Sequence, residues 1–501
     1  MSSFDTPAQS TLSTTRPGPA GAPGRPRPTR DGVILALACV AQFMVVLDVS
    51  IVTVALPSIG RDLHYSPAGL QWVVNAYVLT FAGFLLLGGR AADLFGRRRV
   101  YLLGLGLFTA ASLAGGLATE SGWLTAARAV QGVAGAFLSP ATLTIIITTF
   151  SGDRRARALG VWSAVAGAGG AAGAILGGVL TSALSWRWVL FVNIPIGVAA
   201  IAAALAWLPE SSGRARGDAA PRLDAGGAIA VTAGLGALIY AIVGTQTHPW
   251  GSARTLSLLG AAAAALAVFA VIELRLARAP LMPFGLLRSR SVSGANAVMF
   301  LIGAAFFSMW YFLSLYLQNV LGYSALRAGL AFLPMGVAII AGAQASSRLL
   351  PRAGVRPLLQ AGTLLAAGGF AWLSAITPDA SYWDHVFGPG CLISLALGLL
   401  FTPLAAAATA GVPFSQAGLA SGVLNTSRQI GGSLGLAVLA TIATDRSHAV
   451  LAAAGPAVSL AASLNDGYSR AFGWAAGFCV AALAASFVVP AIRPRRPAAG
   501  R

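Results

Sequence analysis

The chain has 501 residues, 56% hydrophobic and only 10% charged, with a formal net charge of +18 and a mean hydropathy of +0.76. A soluble domain of this length could not keep so apolar a composition in solution, which places the chain in a membrane. All 33 basic residues are Arg; the absence of Lys rules out a Walker A lysine and a lysine Schiff base, and with them direct ATP-driven transport by this chain alone.

Residues 1–31 are rich in Pro, Ser, Thr and Arg and lack the apolar core of a cleavable signal, so they read as a disordered cytoplasmic tail. Apolar runs long enough to cross a hydrocarbon core of about 30 Å then recur. They fall at 33–56, 70–88, 100–118, 122–149, 158–182, 188–207, 224–244, 255–274, 294–319, 328–349, 357–376, 385–409, 419–443 and 469–491. The expectation is an all-α polytopic membrane protein of about fourteen transmembrane helices.

Arginines cluster at 16–30, 90–99, 154–157, 214–222, 275–290, 348–356 and 493–501, separated each time by two runs, while the opposite loops carry single arginines or a sparse pair. This is the positive-inside pattern: both termini are expected in the cytoplasm, and the charge needs no nucleic-acid partner. The longest internal polar stretch follows the sixth run, and two runs intervene before six more. The expected plan is a six-helix bundle over 32–208, a cytoplasmic loop at 209–222, an extra helix pair at 223–275, a cytoplasmic linker at 276–293, a second six-helix bundle over 294–492 and a tail at 493–501. The fifth and thirteenth runs look alike, Arg157-Ala158-Leu159-Gly160 against Ala417-Gly418-Leu419-Ala420, each opening onto a glycine-rich segment. Such repetition between halves is what transporters show, with a substrate site between them near the midplane.

Asp48 is a lone carboxylate inside the first run. A charge at that depth costs roughly 2.5–3.5 kcal/mol on the insertion scale, so it must be shielded, paired or protonated. Arg128 enters the fourth run six residues from Gly122, roughly 9 Å along a helix, and Asp48 lies roughly 12 Å from the same side of its own. The two charges share a depth. Burial favours a proton on such a carboxylate and a close guanidinium opposes it, so the expectation is a pair that forms and loosens; a permanent structural ion pair is the alternative.

Several segments resemble the major facilitator superfamily. Gly89-Arg90-Ala91-Ala92-Asp93-Leu94-Phe95-Gly96-Arg97-Arg98-Arg99 resembles its signature loop, which implies a gating role for Gly89, Arg90, Asp93, Gly96, Arg97 and Arg98 at the cytoplasmic face. Arg128-Ala129-Val130-Gln131-Gly132 is similar to its Arg-x-x-Gln-Gly motif. Gly169, Gly173 and Gly177 stand four apart on one helix face, which permits close helix packing. With Gly178 they resemble the antiporter motif, although Ala174 stands where the family usually has Pro, so the expected kink is unforced. Leu47–Pro57, Trp186–Gly197, Leu315–Ser324 and Asn425–Gly432 are similar to the fourteen-helix drug:proton antiporters of the EmrB/QacA type.

That resemblance implies a proton-coupled exporter of lipophilic drugs, driven by the proton gradient with no cofactor and working by rocking of the two bundles. Gln42, Asn75, Tyr77, Gln131, Phe307, Trp310, Tyr311, Gln344 and Asn425 are polar or aromatic within runs and could line the cavity or join helices. With Asp48 the one mid-run carboxylate, a singly cationic or neutral cargo is expected. Export of one dedicated metabolite or antibiotic is an alternative, as is a lipid flippase or a membrane enzyme, although no nucleophile, base and orienting group share a layer. Cys39, Cys391 and Cys479 are isolated, and His64, His248, His385 and His448 fall in loops without acidic partners, so no metal site is expected. The expected partners are the lipid bilayer, a lipophilic small molecule and protons.

Overall fold

An apolar run in hydrocarbon has to satisfy its own backbone N–H and C=O groups, which makes the helix its local structure. A computed structural model of the protein describes residues 28–210, 224–245, 248–276, 285–412, 417–454 and 459–491. Most of the expected terminal tails, of the loop at 209–222 and of the first half of the linker at 276–293 lie outside these residues.

Regular structure among the described residues is helical, with no strand. In chain order the helices are α1 (Pro28–Asp62), α2 (Pro67–Leu70), α3 (Trp72–Phe95), α4 (Arg97–Gly116), α5 (Ser121–Thr149), α6 (Gly152–Ala183), α7 (Trp188–Phe191), α8 (Asn193–Trp207), α9 (Ala225–Gly244), α10 (Ala253–Val271), α11 (Arg290–Leu315), α12 (Ala325–Ala331), α13 (Leu333–Ala353), α14 (Val355–Leu373), α15 (Gly388–Thr409), α16 (Ala417–Ala454) and α17 (Leu460–Ser486). Single π-helical turns continue α10 over Ile272–Leu276 and α11 over Tyr316–Val320, and one leads into α15 at Trp383–Phe387.

Ten helical stretches among the described residues are long and apolar enough to cross a membrane. The predicted runs at 70–88, 158–182, 357–376 and 469–491 are also helical, as α3, α6, α14 and α17, but are not among the ten. Charged and polar side chains such as Arg356 and Gln360 in α14, and Asp466 and Arg470 in α17, dilute the apolar character there, and the apolar stretches of α3 and α6 among the described residues are Trp72–Leu85 and Ala168–Ala183. Helix limits also run past the apolar limits, α1 by several residues at each end and α16 well beyond residue 443. Hydropathy marks what lipid covers, whereas helical hydrogen bonding continues into water. Two runs are instead broken, at Val192 and at Phe332. Pro195 and Pro334 follow closely, and each lacks the N–H the helix would use.

Helix pairing rests on glycine. α3 and α4 pack on α5, α1 packs on α6, α11 on α16, and α15 on both α13 and α14. A methyl group added at Gly132 of α5 would stand 2.2 Å from the Tyr77 carbonyl of α3, at Gly435 of α16 2.3 Å from Ala304 Cβ of α11, and at Gly398 of α15 2.1 Å from the Ile339 carbonyl of α13. Those backbones touch, which a side chain would forbid. α9 and α10 pack on each other, and α9 rests on α3 and α16.

The sequence clusters of arginine define two ends of the molecule. Helices α1–α8 meet α11–α17 near the arginine-poor end: Ser314 Oγ donates to the Thr53 carbonyl at 2.9 Å, Gln318 Nε2 to the Val54 carbonyl at 2.9 Å, and the Leu326 N–H to Ser182 Oγ at 3.3 Å. There too, Gly178 lies against Leu326, and Gly329 against the Ala174 carbonyl. This end is closed.

Close packing at Gly398 predicts a sharp contrast between two valines. Gly398→Val should lower the thermal unfolding midpoint in detergent, by overpacking worth about 1–3 kcal/mol or more, whereas Gly368→Val, with open space beside it, should leave the midpoint nearly unchanged. Equal midpoints for the two variants would contradict the packing described.

Candidate functional site

Charge burial selects the site. Asp48 is fully buried and Arg128 is 1% exposed, and they form an ion pair between Arg128 Nη1 and Asp48 Oδ2. The pair lies where α1, α3, α4, α5 and α8 converge, and each helix contributes a polar group.

α5 places Arg128 and Gln131 three residues apart, hence on one face. Gln131 Nε2 donates to Asp48 Oδ1 at 3.0 Å and to Ser112 Oγ of α4 at 2.7 Å. Its Oε1 accepts from Arg128 Nη1 at 2.8 Å. Gly132, next in sequence, lets the α3 backbone close in, so that Arg128 Nε donates to the Val73 carbonyl at 3.0 Å and the guanidinium lies 4.5 Å from the Tyr77 ring centroid. Asn193, the first residue of α8, donates through Nδ2 to Asp48 Oδ1 at 3.1 Å and to Ser112 Oγ at 3.3 Å. Its Oδ1 has no partner.

Asp48 thus accepts from three side chains, and Arg128 gives its hydrogen bonds to a carboxylate, an amide and a carbonyl. Each donor offsets desolvation of the carboxylate in its ionised form. This chemistry suits a group that holds a proton in one state and an arginine in another, and it offers no nucleophile with a base and an orienting group. Among the described residues no cluster of metal ligands occurs, and the three cysteines are unpaired.

Sequence reasoning singled out Asp48, Arg128 and Gln131, and the structure joins them. It passed over Asn193 and Ser112. An asparagine inside the apolar segment Val189–Ile196 was a usable signal; Ser112 gave none. The glycine face of α6 lies directly behind the site: methyl groups at Gly169, Gly173 and Gly177 would stand 3.1, 2.9 and 2.8 Å from the carbonyls of Phe43, Leu47 and Ile51 in α1, and Ser50 Oγ donates to the Gly170 carbonyl at 2.6 Å. α6 runs unbroken through Ala174. In the signature loop, Gly96 has φ of 92°, which explains a glycine between α3 and α4. Arg98 Nη2 donates to the Leu205 carbonyl at 2.7 Å near the end of α8, while Arg90 Nε is buried without a partner. The Asp93 side chain lies outside what the structure describes.

The residues expected to line a cavity fall in several environments. Tyr77 and Gln131 belong to the charge cluster, Asn75 is buried against Gln71 at 3.3 Å, and Gln42 accepts from Ser139 Oγ at 2.9 Å. Phe307 lies on Gly432, Trp310 packs 4.9 Å from the Phe332 ring, and Tyr311 is buried. Gln344 is exposed, and Asn425 accepts from Arg428 Nη2 at 2.8 Å. Polarity within an apolar run marks a hydrogen bond to a neighbour as often as a cargo contact.

Five helices of a multi-spanning protein thus enclose a hydrogen-bonded carboxylate and guanidinium, and the family and relatives that the sequence matches make it a membrane transporter and not an enzyme. Residues 38–436 match the family model described as Major Facilitator Superfamily, and the chain belongs to that family. It is 48% identical over 410 residues to a cephamycin export protein of Amycolatopsis lactamdurans, covering 81% of this chain and 84% of that one. Identity is 41% over 452 residues to a puromycin resistance protein of Streptomyces alboniger (89% and 88% covered) and 36% over 432 residues to a tetracenomycin C resistance and export protein of Streptomyces glaucescens (85% and 78%). Among solved structures, an inward-facing, unoccupied bacterial homologue of the lysosomal transporter Spinster superposes with a TM-score of 0.64 at 18% identity, covering 92% of this chain and 98% of that one. That likeness concerns the fold alone.

The cluster predicts a coupling between its two charges. Arg128→Gln strands a buried carboxylate and should cost about 3–5 kcal/mol; adding Asp48→Asn should recover most of the loss. Thermal unfolding of the purified variants measures this, and simple addition of the two single effects would mean that the charges do not interact.

Proposed function

We propose that the chain is a proton-coupled antiporter that exports antibiotics or similar lipophilic compounds across a bacterial cytoplasmic membrane. The observation that carries this reading is Asp48, fully buried and yet held by groups that can each let go. Three relatives named for antibiotic export or resistance support the cargo class. Two of those names specify export, each of one antibiotic, which favours a dedicated exporter over broad drug efflux.

In the state with Arg128 bound, Asp48 is ionised. Protonation removes the charge that holds Arg128 Nη1 and turns one carboxyl oxygen into a donor. Asn193 Oδ1, without a partner in the paired state, is the acceptor that this donor needs after rotation of the amide. Loss of the ion pair loosens α1 from α5, and α1 carries the glycine face of α6 with it. Because α6 also touches α12 through Gly178, the change reaches the contact between the two sets of helices. Closure at the arginine-poor end leaves the arginine-rich end to admit cargo from the cytoplasm, if the positive-inside rule sets the orientation and both termini are cytoplasmic.

The domain plan belongs to the same proposal: six-helix bundles over 32–208 and 294–492 rock about Asp48, and the pair at 223–275 adds to them. Fourteen crossings follow if α3, α6, α14 and α17 span together with the ten apolar stretches, as in the EmrB/QacA type. The described arginines at the loop end, Arg90, Arg97 and Arg98, would hold that loop while the bundles move.

Everted vesicles with an acid interior test the coupling. Puromycin or a cephamycin added outside should release protons in wild type, and Asp48→Asn, present at equal amount, should show none. Proton release that survives Asp48→Asn would remove this residue from the coupling path, and silence of wild type with both drugs would remove the export reading.

A further inference from the structure

In the second half of the chain stands an arginine, Arg428, that pairs with no carboxylate among the described residues. Arg428 lies in α16, roughly 12 Å inside the apolar stretch Ala420–Ala453 at 1.5 Å per residue. Between Leu281 and Ala440 the sequence has two acidic residues, Asp379 and Asp384, both in the turn before α15 at the arginine-poor end. The Arg428 guanidinium donates to Asn425 Oδ1 at 2.8 Å and stands 5.9 Å from the Phe401 ring centroid, and its residue is partly exposed. Arg128, at comparable depth in the first half, is neutralised by Asp48. A cation at bilayer depth without a counter-ion is costly, and neither an amide oxygen nor a ring face supplies the missing charge.

Two further observations point to a ligand. Thr426 Oγ1, Gln429 Oε1 and Ser433 Oγ are buried without partners, and Gln429 and Ser433 are 7% and 0% exposed. Their spacing of three and four residues puts them on one face of α16, with Arg428 about 100° round the helix from Gln429. Orphaned polar atoms of this kind are rare in a folded interior unless something fills them in another state. The backbone beneath is also fixed: a methyl at Gly303 of α11 would stand 2.3 Å from the Arg428 carbonyl, and one at Gly431 2.0 Å from that of Phe300. The guanidinium is therefore mounted on a rigid element.

Resting on the exporter reading above, we propose that Arg428 is the anion subsite of the transport path and that the cargo is a carboxylate-bearing amphiphile. Its carboxylate takes the paired N–H groups of the guanidinium, for which Arg is shaped and Lys is not. Its neutral polar groups meet Asn425, and its apolar body lies along Phe401. Counting acids in the sequence led to a cationic or neutral cargo, but counting uncompensated cations in the second half reverses the sign. Asp48 is enclosed by its own donors in the first half, so cargo and proton act on each other through the motion of the helices and not by contact.

The probe pair is cefoxitin, a cephamycin with a free carboxylate, and its methyl ester, titrated calorimetrically into the purified full-length protein. The acid should bind about tenfold or more tightly than the ester, although the ester is the more lipophilic of the two. Arg428→Gln should erase that preference and Arg428→Lys should keep part of it. Equal binding, preference for the ester, or no binding of either would overturn the proposal. Should Arg428→Gln fail to fold, the acid-to-ester ratio of wild type against Arg428→Lys decides the matter. Puromycin carries an amine and no carboxylate, so proton release in vesicles that answers to puromycin and not to cefoxitin would uphold the exporter reading and overturn this one.

Discussion

One ion pair, Arg128 with Asp48, orders the first half of the molecule. Two charges removed from water stabilise a fold only when their remaining donors and acceptors are met as well, and α3, α4, α5 and α8 each bring a group to meet them. Residues far apart in the chain are thereby fixed at one point: Val73, Ser112, Gln131 and Asn193 all lie within hydrogen-bonding distance of the pair or of each other. A single proton added to Asp48 alters the demand on every one of these groups. The proposed coupling therefore requires no long relay.

What makes so local an event felt elsewhere is the manner of helix packing. In lipid there is little hydrophobic gain in bringing helices together, and association relies on close van der Waals contact. The glycines of α6 press directly on the backbone of α1 beside Asp48, while Gly178 on the same helix meets α12. Surfaces so smooth can slide, and contacts so close transmit displacement. α6 runs unbroken through Ala174, whose carbonyl lies against Gly329 of α12.

The halves are built alike and charged differently. The first carries a compensated pair, and the second carries Arg428 with an amide and an aromatic ring for company. On the function proposed above, this asymmetry would separate the two tasks of an antiporter: a carboxylate that answers to protons in one half, and a cation that answers to cargo in the other. Helical self-similarity between the fifth and thirteenth runs made the shared architecture readable, whereas the difference in charge lay in single residues.

Sequence alone determined that this is a helical membrane protein, because composition and the recurrence of apolar runs leave few other solutions; the resemblance of its motifs pointed to a transporter, and Asp48 and Arg128 stood out because a charge in hydrocarbon demands a reason. It also marked Gly96, whose φ of 92° suits glycine. Helix limits escaped it, since lipid coverage and backbone hydrogen bonding end at different residues. Of the cavity candidates, Tyr77 and Gln131 are buried beside the ion pair, a placement that the sequence did not reveal. Asn193 and Ser112 became partners of Asp48 only in three dimensions. Periodicity and hydropathy report the environment of one segment at a time, whereas which side chain meets which depends on how several helices cross, and that crossing is set by glycines whose partners lie tens to hundreds of residues away.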